Sequence, residues 1–197
     1  MARAALASFN TNSVGLNDAR RGDLSRQTFA PLNAAFKVID DAASQGNQVA
    51  IDAVVRALQI RELQGNAIQC VGTLAGNGND DALEILLNHE KYGFLLSSTV
   101  GALAPAAGNG NQKAIDFLAA VTKDPKQHAL WVMIADGLTT PAGAGNAVAV
   151  DALIGMSTDT NSYNSYVRNA TVRGLTGAAE KGNTKAAEAL RAMALNR

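Results

Sequence analysis

The residues of this sequence best suited to chemistry at neutral pH are its two histidines, His89 and His128, and its single cysteine, Cys70. Histidine can act as a general base or metal ligand, and a cysteine thiolate can act as a nucleophile or ligand. A metal site would need a third ligand at a suitable spacing, and a nucleophilic thiol would need an activating partner. The sequence shows neither. We therefore expect the histidines to be structural or at the surface, and Cys70 to be buried as a small apolar residue.

Five acidic residues recur at regular intervals and form a second candidate site: Asp52, Glu84, Asp116, Asp151 and Glu188. An acid in the first turn stabilises a helix through the helix dipole, which is the plainer interpretation. In the functional interpretation, stacked helices align these carboxylates into a binding face for basic or polar peptide segments. Trp131 is a further candidate for this face, because aromatic side chains contribute strongly to interfaces. The alternative is that Trp131 belongs to the core.

The five acids end copies of one motif, A-x-x-G-N-x-x-A-Φ-[DE], in which Φ is apolar. Successive motif glycines are 32, 32, 35 and 37 residues apart, which is typical of an array of two-helix repeats. A glycine just past a helix can adopt the left-handed conformation, and an asparagine after it can cap the next helix. The residues predicted to form these turns are Gly46, Asn47, Gly78, Asn79, Gly110, Asn111, Gly145, Asn146, Gly182 and Asn183.

Both helices of each repeat show an apolar pattern. In the first repeat, the second helix carries Ala50, Ile51, Val54, Val55 and Leu58 on one stripe. The first helix carries an aliphatic residue seven positions before the motif glycine, at Ile39, Leu103, Leu138 and Leu175. In the second repeat we expect this residue to be displaced to Leu74, in a helix about one turn shorter that runs from Ala67 to Ala75. The helix that carries Trp131 is expected over residues 127–139.

These patterns divide the chain into a non-repeat N-terminal arm, residues 1–27, and a repeat domain, residues 28–197. The arm contains four arginines and two aspartates. It either caps the first helix pair of its own chain or docks on a neighbour.

Composition argues against several classes of function. The chain has 17 basic and 17 acidic residues, so no overall charge attracts nucleic acid or an anionic membrane. No apolar run is long enough to span a bilayer, and the apolar part of the N-terminus is too short for a signal peptide. We therefore expect no membrane association, no nucleic-acid partner and no cofactor, and we favour a cytoplasmic location.

The segment from Val167 to Leu190, with its Val-Arg pair, tight turn and A-x-x-x-L ending, resembles a HEAT repeat. The motif is also similar to Sel1-like and tetratricopeptide repeats, which are the second choice. The HEAT resemblance covers residues 28–197 as five degenerate units, and it implies an all-α, right-handed α-solenoid of about five two-helix repeats. Some HEAT-like proteins are DNA glycosylases or chromophore lyases.

These considerations predict a non-enzymatic scaffold that binds a protein or peptide. The partner could be another copy of the chain, because the last helix keeps apolar residues that a head-to-tail contact would cover. The alternative, from the resemblance, is a HEAT-fold enzyme that acts on DNA or on a tetrapyrrole.

Overall fold

The computed structural model describes residues 35–158 and 165–195. Within these ranges the protein is all-helical and contains no strand. The predicted arm, residues 1–27, and the first residues of the predicted repeat domain lie outside the described part of the chain.

The helices follow one another in pairs. Helix α1 covers residues 35–44, and the remaining α-helices are α2 (Gln48–Ala57), α3 (Gln64–Gly76), α4 (Asp80–Leu87), α5 (His89–Tyr92), α6 (Leu96–Gly108), α7 (Gln112–Val121), α8 (Trp131–Gly143), α9 (Ala147–Thr158), α10 (Ser165–Glu180) and α11 (Thr184–Leu195). A 3-10 helix, Pro125–Leu130, precedes α8. The sequence predicts that the helix carrying Trp131 begins at residue 127, and this start is wrong. The chain bends at Gln127, and the α-helix begins only at Trp131.

Each motif forms a corner of three residues between two helices. All five motif glycines have positive φ, between 79° and 97°. At Gly110, the glycine N–H donates to Ala107 O at 2.9 Å and the Asn111 N–H donates to Ala106 O at 3.0 Å, which is the Schellman arrangement. The Asn111 side chain then accepts from Ala114 N–H at 3.2 Å and so caps the next helix. The other four corners share this pattern of bonds.

The second repeat differs from its prediction. Helix α3 has 13 residues, as many as α6 and α8, so the predicted shortening is wrong. Ala67 N–H donates to Leu63 O at 2.9 Å, which places Asn66 inside the first turn of a helix that begins at Gln64, before the predicted start at Ala67. The predicted displacement to Leu74 is also wrong, because Val71 stands seven residues before Gly78 and is 1% exposed. This position is therefore aliphatic and buried in all five repeats.

Contacts divide the described part of the chain into two compact units, a first unit that ends at Cys70 and a second that begins at Val71, with the boundary inside α3. In the second unit, α8 packs against both α6 and α10. The second helices of the pairs follow the same order, since α9 contacts both α7 and α11. The core between them consists mainly of alanine and leucine side chains, with Ile115, Ile134 and Met156 fully buried. Among the described helices, none is both long and apolar enough to cross a membrane.

Candidate binding groove

The five predicted acids lie on exposed positions of the second helices, but each is the fifth residue of its helix, so their predicted place in the first turn is wrong. Two of them pair with a lysine of the following motif: Lys113 Nζ lies 2.6 Å from Glu84 Oε1, and Lys185 Nζ lies 3.1 Å from Asp151 Oδ1. Both lysines are the second residue after the motif asparagine. The hydrogen bond to Glu84 raises the pKa of Lys113. All four side chains are at least half exposed, so these pairs contribute little to stability.

Two other acids receive hydrogen bonds within their own helices. Gln48 Nε2 donates to Asp52 at 3.0 Å, and Gln112 Nε2 donates to Asp116 at 2.7 Å. The row of carboxylates is therefore partly engaged by neighbouring lysine and glutamine side chains. It is less able to attract a basic partner than five free acids would be.

The aromatic and histidine side chains pack against one another. Trp131 is 3% exposed at the start of α8, and its ring meets that of His128 edge to face, with centroids 4.4 Å apart. His89 makes a similar edge contact with Phe117 at 5.6 Å. Trp131 is thus a core residue, whereas its neighbour His128 is only partly buried. Its indole Nε1 is buried and has no hydrogen-bond partner.

A groove of about 750 Å³ opens beside Trp131, between the C-terminal end of α7, the 3-10 helix and the outer face of α9. It brings together two of the predicted binding-face residues, Trp131 and Asp151. The other four acids do not line it. Its lining consists of Ala119, Thr122, Lys123, Pro125, His128, Trp131, Val148, Asp151, Ala152, Gly155 and Thr158.

The stripe along α9 is the part of the groove that sequence reasoning missed. Val148, Asp151, Gly155 and Thr158 are three or four residues apart, so they share one helix face, and all four are exposed. Their spacing is visible in the sequence around the motif acid. A methyl group placed on Gly155 would meet no atom within 4 Å, which shows that the groove is open at this point.

Cys70 is buried in the first unit beside Asp40. Burial and the neighbouring carboxylate raise the pKa of the thiol to about 12. Burial likewise raises the pKa of Asp40, whose Oδ1 has no hydrogen-bond partner. A thiol with this pKa is almost fully protonated at neutral pH and is a poor nucleophile. Over the described ranges, no three His, Cys, Asp or Glu side chains are grouped closely enough to hold a metal ion.

Comparison of the chain with models of protein families, with curated proteins and with solved structures gave no match.

Proposed function

We propose that this chain is a non-enzymatic scaffold, built as a right-handed α-solenoid of HEAT-like repeats, that binds a peptide segment of another protein in the Trp131 groove. The proposed architecture is supported by the order of packing in the second unit. First helices contact first helices of the next pair, and second helices contact second helices, as stacked repeats require.

The groove is the observation that carries the proposed function. The α9 stripe from Val148 to Thr158 is about 15 Å long at the rise of an α-helix. That length matches about four or five residues of extended chain. The floor is made of Ala119, Ala152 and Trp131, which would receive an apolar side chain of the peptide. At the rim, Lys123 offers a positive charge, whereas Asp151 is already paired with Lys185, so a peptide with an acidic residue beside its apolar one fits best.

The side chains with catalytic potential support a binding role. The Cys70 thiol has a raised pKa, and both histidines make edge contacts with aromatic rings. The alternative function, an enzyme that acts on DNA or a tetrapyrrole, requires a basic concave face or a pocket that combines acidic and aromatic side chains. A shift of duplex DNA in a gel at low salt would favour that alternative, because phosphate binding is strongest there.

Filling the groove tests the proposal. Peptides would first be selected from a random library on the wild-type chain, and their binding would be followed by the fluorescence of the single tryptophan. In Gly155→Leu the added side chain occupies the groove, and the helix gains from losing a glycine. We expect this variant to melt no lower than wild type and to lose at least tenfold in affinity.

Gly65→Leu is the matched control. Gly65 is also a helical glycine with nothing within 4 Å of an added methyl group, and it is not among the residues that line the groove. We expect it to bind the selected peptides as wild type does. Equal binding by Gly155→Leu, or failure to select any peptide that perturbs Trp131 fluorescence, would reject the proposed site.

A further inference from the structure

The first helices meet along a seam of small residues that keeps one register. Counting back from each motif glycine, position −6 of one repeat faces position −8 of the next. A methyl group on Gly72 would lie 2.9 Å from Ala102 O, and one on Gly137 would lie 3.0 Å from Ala104 Cβ. One on Gly174 would lie 3.3 Å from Thr139 Cα. In the first unit the same two positions are Asp40 and Cys70, whose side chains interact.

A second line of contact joins position −2 of one repeat to position −5 of the next. A methyl group on Gly177 would lie 2.9 Å from Gly143 Cα, and one on Gly76 would lie 3.5 Å from Pro105 Cβ. Position −2 is glycine in the second, third and fourth repeats, and the approach is close at Gly76 and Gly143 but not at Gly108, where an added methyl group would meet no atom within 4 Å. At Gly143 and Gly177 the two backbones can approach closely because neither residue carries a side chain.

The first and last repeats do not carry small residues at all of these contact positions. Position −8 of the first repeat is Val38, which is 64% exposed, whereas the later repeats carry a small residue there. Position −2 of the last repeat is Glu180, which is exposed. Glu180 is also the final residue of α10, where the helix dipole disfavours a negative charge. The stability of α10 therefore gives no reason for an acid at this position.

We infer that Val38 and Glu180 are stop residues, which prevent the seam of one copy from continuing into the first repeat of a second copy. If a second copy continued the seam in the same register, its Val38 would clash with Thr176 of the first copy. Its Asp41 would lie beside Glu180 of the first copy, and the two negative charges would repel each other. Position −9 adds a third conflict. There Arg173 pairs with Asp136 at 3.1 Å, whereas continuation into a second copy would set Lys37 against Arg173. Two surfaces with these mismatches exclude each other, although the repeats on either side are alike.

A variant that removes the three conflicts, in the first and in the last repeat, tests this inference. It carries Lys37→Asp, Val38→Ala and Glu180→Gly. We expect wild type to sediment as a monomer across a wide dilution series. The triple variant should show a mass that rises with concentration, because a heterologous contact that does not close adds further copies. The matched control makes the same kinds of change outside the seam, Val49→Ala, Lys126→Asp and Asp116→Gly, and should stay monomeric.

Two partial variants separate the faces and remain informative if the triple variant does not fold. One carries Lys37→Asp and Val38→Ala, and the other carries only Glu180→Gly. Each alone should be monomeric, whereas their mixture should form a one-to-one dimer that cannot grow. The inference is overturned if wild type already associates, if the folded triple variant or the mixture stays monomeric, or if the control associates equally.

Discussion

Asp40 holds a position in the seam that is occupied by Gly72, Ala104 and Thr139 in the next three repeats. Its carboxylate is partly buried, and burial raises its pKa above the usual value. The folded protein therefore binds a proton at Asp40 more readily than the unfolded chain does. Above the raised pKa, this carboxylate is charged in an environment that disfavours charge. Asp40 thus lowers stability at neutral pH.

We predict that Asp40→Ala raises the free energy of unfolding at pH 7, by about 0.5 kcal/mol from helix propensity and by a further part from the removed charge. The further part depends on pH in a definite direction. It is largest above the raised pKa and shrinks as the pH falls toward 3.8, the ordinary pKa of an aspartate, because Asp40 then becomes neutral in the folded protein. Urea unfolding of both proteins from pH 7 to pH 4 measures it. A difference that grows on acidification would contradict this account.

At the scale of the element, the corner between α6 and α7 contains two glycines with different roles. Gly110 has φ of 88°, whereas Gly108 is the last residue of α6. A methyl group on either would meet no atom within 4 Å, so packing does not distinguish them.

We predict that Gly110→Ala destabilises the protein by about 1–2 kcal/mol, because an L-residue is strained in the left-handed conformation. Gly108→Ala should be neutral or stabilise by up to about 1 kcal/mol, because alanine favours the helix. Chemical unfolding of the two variants gives both values. Equal effects of the two substitutions would show that the corner does not require a left-handed residue at position 110.

The corners could be predicted from sequence because every interaction in them is local. Gly110, Asn111 and the two alanine acceptors lie within six residues of one another. The start of α3 could not be predicted in this way, because Asn66 is a good cap by type but the chain is already helical before it. The groove also escaped prediction, because periodicity identifies the face of α9 but does not tell whether a neighbouring element covers it. The sequence assigns Trp131 and Asp151 to one binding face, but only the packing of α7 and α9 shows that these two line a groove and that the other four acids do not.

At the scale of the molecule, burial in the second unit decreases toward the last helix. Helix α8 buries residues over its whole length, from Trp131 to Ala142. Helix α11 buries only Ala186, and Leu195 near its end is 84% exposed. Local opening needs less free energy where fewer apolar contacts must break. Stability is therefore graded along the unit rather than shared evenly.

We predict that amide hydrogen exchange under native conditions is fastest in α11 and slowest in α8, with α6 and α10 closer to α8. Exchange followed by proteolysis and mass spectrometry resolves these helices, because they lie in separate stretches of sequence. Protection in α11 equal to that in α8 would contradict the prediction and would indicate that another surface covers the last helix.

The invariant length of the corners bears on how such a chain can change in length over evolution. Three residues separate the paired helices at every motif, and two of them are the glycine and asparagine whose hydrogen bonds close one helix and open the next. An insertion or deletion there would disrupt both helices at once. The links between repeats do not share this constraint, and the longer spacing from the third motif to the fourth includes the 3-10 helix Pro125–Leu130. Insertions or deletions of a few residues should therefore be confined to those links, whereas larger changes in chain length should come as duplication or loss of a whole repeat.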